Sequence, residues 1–588
     1  MSLARLRAGI AARVRRISER MGEAAEGSCE VEARESGASI LLEGKVTSWQ
    51  DKIELGWYAA KRGYRGVIND IEVAGDEWAG AERLAPGQGA PSDRPLEGQS
   101  FDAAIVGAGV IGCAIARELS RWNLKTVLIE KECDVAVHTS SRNDGMVHDG
   151  FAAKPGTKKA KYNVLGNRMW EPLAKELGVE FSRPGSLIVY SSPAIAALYP
   201  AFAARARENG VDGWEYWSPA RLRAEEPNIT DEQHGAFFLP SAGIISPYKA
   251  TVALAESAAA NGVKVMLDTC VLGFEREGDR ITRVLTSRGD FRASVVVNAA
   301  GNWADVVAGF AGDRFFSLHQ RRGVDMILDR STGDTQRHIL GMPAVSQARS
   351  KSKGGGLVKT VEGNILVGPT ATEAPGREEY ATSSPELGEL NKHFRINKRL
   401  SPSMAITYFA GVRPCTYEED FIVERSTAVK NLVHAAGIQS PGLASAPAIA
   451  AEIARLALEA LSETTKVTGK ASFVASRQAT PELRRLSLEE RAAIIARNPA
   501  YGRIVCRCEE VSEGEIRDAL RSPVPATSLD AVKRRVRPGM GRCHGGFCTP
   551  RVMEILADEL KIPLAEVTKK GPGSRIALGE TKTGRQER

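Results

Sequence analysis

The sequence predicts an α/β protein of several units, with a dinucleotide-binding domain at its centre, a small α+β unit before it and a short helical, cysteine-bearing unit after it. Three observations carry this. From Phe101 the stretch FDAAIVGAGVIGCAIARELSRWNLKTVLIEKE reads as a buried strand, a glycine turn, an amphipathic helix and a second strand ending in an acid. Four of the nine cysteines crowd between residues 506 and 548. A chain of 588 residues exceeds what one hydrophobic core organises, which implies roughly two to four units.

Composition narrows the class. With 43% hydrophobic, 26% charged and 6% aromatic residues the chain is of the soluble globular type. Its 57 glycines exceed the usual share of about 7% and imply many glycine-lined turns. The net charge of +7 is small for this length, which speaks against a dedicated nucleic-acid binder. No run of about 18 apolar residues occurs, which excludes a bilayer-spanning helix. Cys29, Cys113, Cys133, Cys270 and Cys415 stand singly, as reduced thiols do, so a disulfide-stapled secreted scaffold does not fit.

In chain order, residues 1–28 open with Leu3, Leu6, Ile10, Val14, Ile17 and Met21 at steps of three or four, interleaved with arginines. That is a basic amphipathic helix. It suits docking on this protein or a partner, contact with a membrane surface, or an organellar transit peptide. Residues 29–76 read as strand, strand, helix, strand, and residues 77–99 as a Gly/Pro-rich linker. The stretch LLEGKVTSWQDKIELGWYAAKRGYRGVINDIEV resembles a BON module, through its Gly44-Lys45-Val46 turn and its GV-x-N-x-I-x-V ending. The resemblance implies attachment of residues 1–76 to a membrane surface or a partner.

In the central fingerprint Gly107 allows the tight turn, Gly109 lets the backbone approach a pyrophosphate, and Gly112 lets the helix lie close to the sheet. Glu130 ends the second strand, where an acid favours unmodified ribose hydroxyls. The fingerprint alone leaves FAD and NAD open, because both present the same ADP half. The following HTSSRNDGMVHDG and the closing YFAGVRPCTYEEDFIVE and NLVHAAGIQSPGLASAPAIAAEIARLAL resemble the superfamily of FAD-dependent glycerol-3-phosphate dehydrogenase and D-amino-acid oxidase. The resemblance implies an FAD domain over 100–460, with a substrate cap at about 160–240 and 313–410. Thr139, Ser140, Ser141 and Arg142 would then border the cofactor, together with Ala300, Gly301 and Gly411. Gly437, Gln439, Ser440 and Gly442 would bring a helix N-terminus to the flavin's pyrimidine edge, where its half positive charge stabilises the reduced anion.

After a connector over 461–500, the unit 501–560 carries Cys506-x-Cys508 and Cys543-x-x-x-x-Cys548, with a disordered-looking hinge between its two halves and a tail over 561–588. Four converging thiolates are used by structural zinc and by iron-sulfur clusters. The run GRCHGGFC resembles the BFD-like 2Fe-2S domain, with Gly541, Gly545 and Gly546 giving backbone N–H groups access to the sulfurs. An FAD domain followed by such a domain is similar to the large subunits of anaerobic glycerol-3-phosphate dehydrogenases. That resemblance implies hydride transfer from a small anionic alcohol to flavin, with electrons leaving singly through the cluster to a quinone or protein acceptor. It also implies a cytoplasmic place, peripheral at the inner face of the membrane if residues 1–76 attach there, and a partner subunit. A 2-hydroxy acid such as 2-hydroxyglutarate, or an amino or imino acid, is the alternative substrate. A non-catalytic electron-transfer or scaffold role is the alternative of another class.

Oxidising an alcohol needs a proton acceptor, and His148 in MVHDG and His319 in LHQRRG are the candidates. An anionic substrate needs a fixed cation, for which Arg413 in GVRP is the first candidate. Arg321 and Arg322 are weaker, since neighbours on a strand face opposite ways. Lys158, Lys159 and Lys161 read as a solvated face, and Tyr248 as a cavity residue or a packing one.

Overall fold

The structure is a computed structural model that describes residues 3–21, 29–60, 63–75, 84–343 and 355–579. Helix α1 (Leu3–Met21) precedes β1 (Glu30–Ser36), β2 (Ser39–Val46), α2 (Trp49–Ala60) and β3 (Val67–Val73), in the expected strand-strand-helix-strand order. β1 and β2 pair antiparallel, and α2 is the crossover that brings β3 parallel to β2. Leu6, Ile10 and Val14 of α1 are buried in the core of this module. Of the three readings of the helix, docking on its own protein is the one found, and these side chains are not free for a lipid surface.

The central sheet places β4 (Ser100–Val106) between β5 (Thr126–Ile129) and the strand Phe291–Asn298, all parallel. Helix α3 (Val110–Leu119) follows β4 and is buried along nearly its whole length. It packs with helices Pro247–Ala260 and Gly442–Ser462 in the largest core, whose members are mainly Ala, Val, Ile and Leu. Helix Lys158–Leu177 joins that core through Trp170 and Leu177. The expected start of the cap at about 160 therefore falls inside the central domain. The cap itself is a nine-stranded sheet whose spine is the long antiparallel pair Leu318–Leu328 and Ala405–Thr416.

Two stretches expected to be loose are packed. In the linker, Leu96 is fully buried, and Asp93 pairs with Arg288 at 2.8 Å. In the hinge of the C-terminal unit the chain forms helix Leu529–Val536, capped by the Ser528 side chain. Its Arg534 and Arg535 both close on buried Asp134 of the central domain, at 2.7 and 2.9 Å. Propensity alone could not reveal this helix, because its anchor lies some 400 residues away in sequence. No described helix is long and apolar enough to cross a membrane.

Candidate active site and cluster

An open cleft of about 760 Å³ lies at the carboxyl end of β4 and β5, where open α/β sheets bind ligands. Gly107, Gly109, Glu130, Thr139, Ser140, Ala300 and Gly301 line it, as expected. Gly107 has φ +102°, and a Cβ there would meet the Ala299 carbonyl oxygen at 2.5 Å. A Cβ on Gly112 would meet the Gly107 carbonyl oxygen at 1.8 Å, so only glycine lets α3 sit on the turn. Ser140 Oγ accepts from the Val110 N–H at 2.8 Å, at the very start of α3. Glu130 accepts from the Ala108 N–H at 2.7 Å, and burial pushes its carboxyl up. A backbone cradle that admits no Cβ, a helix start and an acid at the second strand's end fit the ADP half of a dinucleotide.

Other expected residues stand behind the cleft. Ser141 Oγ turns back onto the Val137 and His138 carbonyls, and the Arg142 guanidinium lies 4.1 Å over the Tyr380 ring. Gly411 lets its strand pass under the Arg142 carbonyl, where a Cβ would come within 2.1 Å. These three hold the 139–142 turn in place and do not line the cleft. Sequence reasoning missed Lys131, His138, Trp303 and Glu378, which do line it. His138 was legible as the neighbour of Thr139; Glu378 carried no signal, being brought there by the cap. Lys131 pairs with both Glu132 and Glu378, so the acids gathered round it already have their cation.

Register decides the face of the cap sheet. Opposed residues of an antiparallel pair share a face, so His319 and Cys415, Arg321 and Arg413, and Gly323 and Gly411 lie on one side. That side meets the 437–442 segment: Gln439 Oε1 accepts from Cys415 Sγ at 2.9 Å and from Arg321 at 3.4 Å. Gly437 has φ +62° and turns the chain, Ser440 is half-buried, and Gly442 opens the helix Gly442–Ser462. Arg321 is saturated by Glu373 and Glu419 at 2.7 and 2.6 Å. Arg322, on the opposite face, is held by Glu379 and Glu386. Arg413 differs. It reaches the Thr370 carbonyl only through a long 3.5 Å contact, and no described carboxylate is in ion-pair contact with it. Burial lowers its pKa, only partly offset by Asp325. Asp325 is itself buried and pushed well up by burial and by the Asp144 charge.

Two expectations, for His319 and Lys159, are corrected here, and the open reading of Tyr248 is decided for packing. His319 Nδ1 meets Glu373 at 2.6 Å, and its ring is enclosed between Tyr417, stacked at 4.8 Å, and Trp57, edge-on at 5.8 Å. Walled in by the N-terminal module, it has no opening to a substrate. Lys159 is not solvated: burial lowers its pKa, and it lies 3.6 Å from Glu419. Tyr248 faces the C-terminal unit, with Met540 Sδ at 3.6 Å and Arg537 on its hydroxyl. His148 is half-buried on the chain leaving strand Met146–Val147, where its carbonyl accepts from Asn167 Nδ2 at 3.0 Å. That strand belongs to a different sheet from the strand that carries Arg413.

In the C-terminal unit the four cysteines converge as two pairs. Cys508 and Cys543 sulfurs are 3.7 Å apart. Cys548 hydrogen-bonds Cys506, which pulls the Cys506 thiol down. Zinc bound to four thiolates at about 2.3 Å would draw all four sulfurs to within roughly 3.8 Å of one another. Here the sulfurs group two and two, and no three of them lie within 4.8 Å of one another. The Gly545 and Phe547 N–H groups point at Cys543, and Gly539 N–H at Cys506. Gly541 acts by close approach instead, since a Cβ would lie 2.4 Å from Cys508 Cβ.

The comparisons agree with both halves of this geometry. The family described as FAD dependent oxidoreductase matches residues 102–456, and the BFD-like [2Fe-2S] binding domain matches residues 504–558. Residues 1–101 lie outside both. A glycerol 3-phosphate dehydrogenase of Caloramator mitchellensis is 40% identical over 485 residues, covering 82% of this chain and 99% of that protein. A subunit of the anaerobic glycerol-3-phosphate dehydrogenase of Escherichia coli (strain K12) is 26% identical, covering 78% of this chain and 88% of that one. The dithionite-reduced, FAD-bound L-alpha-glycerophosphate oxidase of Mycoplasma pneumoniae superposes with a TM-score of 0.59 at 28% identity, covering 64% of this chain and 98% of that one. With the nucleotide cradle, the two cysteine pairs and these matches in hand, the chain belongs to the FAD dependent oxidoreductase family, as an FAD enzyme that also carries a 2Fe-2S cluster in a C-terminal BFD-like domain.

Proposed function

We propose that this enzyme oxidises glycerol 3-phosphate at its secondary alcohol and passes the electrons through its cluster to an external acceptor. The observation that carries the substrate reading is Arg413. It is a half-buried guanidinium on the cap face that meets the 437–442 segment, and no described carboxylate is in ion-pair contact with it. A half-buried cation without an ion-pair partner is only partly solvated, and a phosphate with its oxygens in the plane of the guanidinium fork would pair it. The dehydrogenase and oxidase relatives named for glycerol 3-phosphate and glycerophosphate support the same substrate.

Bound flavin supplies a two-electron acceptor and the cluster a one-electron carrier. The chain's own part is to hold and shield. Arg413 fixes the anionic end of the substrate, and the Arg321, Glu419 and Gln439 network keeps the 437–442 segment in place. His148 is the remaining histidine candidate for taking the hydroxyl proton.

The test is an anaerobic visible spectrum of the purified protein, with iron and zinc assayed, before and after glycerol 3-phosphate. Flavin bands with about two irons per chain, bleached by that substrate, are expected. A flavin that stays coloured with glycerol 3-phosphate but bleaches with L-2-hydroxyglutarate would overturn the substrate, and zinc without iron would overturn the electron path.

A further inference from the structure

The N–H groups at the cluster sulfurs have two origins. Cys543, in the outer pair, takes those of Gly545 and Phe547, which lie in its own loop. Cys506, in the buried pair, takes those of Gly539 and Glu509. Arg537 controls the place of both residues, and it meets the central domain.

Arg537 follows the helix Leu529–Val536 in left-handed backbone, φ +71°, where glycine is the usual residue. The chain accepts that strain for a buried side chain with partners in three places. Nε donates to Glu509 at 2.8 Å within the C-terminal unit, and Nη1 donates to the Tyr248 hydroxyl of the central domain. Nη1 also lies 3.6 Å from Glu362 of the cap. Met540 brings its Sδ to the same Tyr248 hydroxyl at 3.6 Å. Gly539 is thus fixed between two residues that rest on Tyr248, and Glu509 is fixed by the first of them. Tyr248 stands on the first turn of the helix Pro247–Ala260, which also packs on the turn Thr139–Ser141 at the nucleotide cleft.

We infer that Tyr248 and Arg537 are positioning residues for the cluster: through them the central domain holds the Gly539 and Glu509 N–H groups on Cys506 and so raises the cluster's reduction potential. This role needs the cluster alone and is independent of which substrate reduces the flavin. Reduction adds one negative charge to the cluster, and an N–H aimed at a thiolate stabilises that charge. The N–H groups on Cys543 come from their own loop, so it is Cys506 that registers the docking. The cluster is accordingly a better electron acceptor while its unit sits on the central domain.

The test is a dithionite titration of the full chain with FAD and cluster bound, followed by the electron paramagnetic resonance of the reduced cluster. Tyr248→Phe removes only the hydroxyl, and Arg537→Lys keeps the charge but loses the planar fork. Neither changes the net charge beside the cluster, so a shift reads position. With iron still at about two per chain, Arg537→Lys should lower the equilibrium constant for reduction about tenfold, or about 59 mV for a one-electron couple. Tyr248→Phe should move it the same way, by about threefold. An unchanged or raised potential in either iron-loaded variant would overturn this role, because the central domain would then have no hold on the hydrogen bonds at Cys506. If Arg537→Lys loses its iron, Tyr248→Phe decides by the same criterion.

Discussion

Single side chains in this protein act through what burial leaves them without. Arg413 has no ion-pair partner among the described residues, so truncation should be felt by the substrate more than by the fold. Arg413→Ala should raise KM for glycerol 3-phosphate about 100-fold, the usual scale for losing a buried charge partner, and Arg413→Lys should recover only part of it because the planar fork is gone. Steady-state kinetics with an artificial acceptor check this. Glu418 is a second case, at the junction of the module and the central domain. Its carboxyl accepts the Val67 N–H, and burial together with the Glu419 charge raises it from 4.5 to about 7. The docked state thus favours the protonated acid, and its advantage is present below about pH 4.5 and lost as pH rises through 7, by up to about 3 kcal/mol. Between pH 5 and 8 the thermal midpoint should fall in the native protein and fall less in Glu418→Gln, as calorimetry at both pH values would read.

At the scale of elements, contacts far apart in sequence decide what is rigid. The helix Leu529–Val536 is pinned by Arg534 and Arg535 on Asp134, with Arg535 also donating to the Val524 carbonyl at 2.7 Å. Removing one partner of a buried pair costs about 3–5 kcal/mol because the remaining charges stay buried. Asp134→Asn should therefore raise hydrogen exchange across residues 523–560 while the helix Gly442–Ser462 stays protected. Uniform protection in both segments would show that other contacts hold the C-terminal unit. The N-terminal module is fastened similarly. Gly56 admits the Tyr417 ring, since a Cβ there would lie 2.3 Å from it, and Asn69 Nδ2 donates to the Tyr417 hydroxyl at 2.9 Å. Tyr417 belongs to the module's own core, so the junction is a shared hydrophobic core.

Across the whole molecule, three units with different tasks form one continuous body, and the order of tasks can be tested by removing the cluster alone. Cys508→Ser takes a ligand from the exposed pair. Iron should fall from about two per chain to near zero, while glycerol 3-phosphate still bleaches the flavin and small-molecule acceptors still turn over. Loss of bleaching would mean that the cluster also shapes the flavin site. The sequence by itself determined what depends on neighbours along the chain: the strand, turn and helix of the nucleotide cradle, the acid at Glu130, the four cysteines and the amphipathic face of α1. Each is a local pattern, set by backbone sterics, helical period or ligand spacing. Only the tertiary structure decided which side of the cap sheet Arg413 shares, that His319 is sealed by Trp57, that Lys159 is buried, and that a glutamate from the cap enters the cleft. Those depend on strand register and on which surfaces exclude water together, and residues that meet across hundreds of positions leave no trace of it in either local stretch.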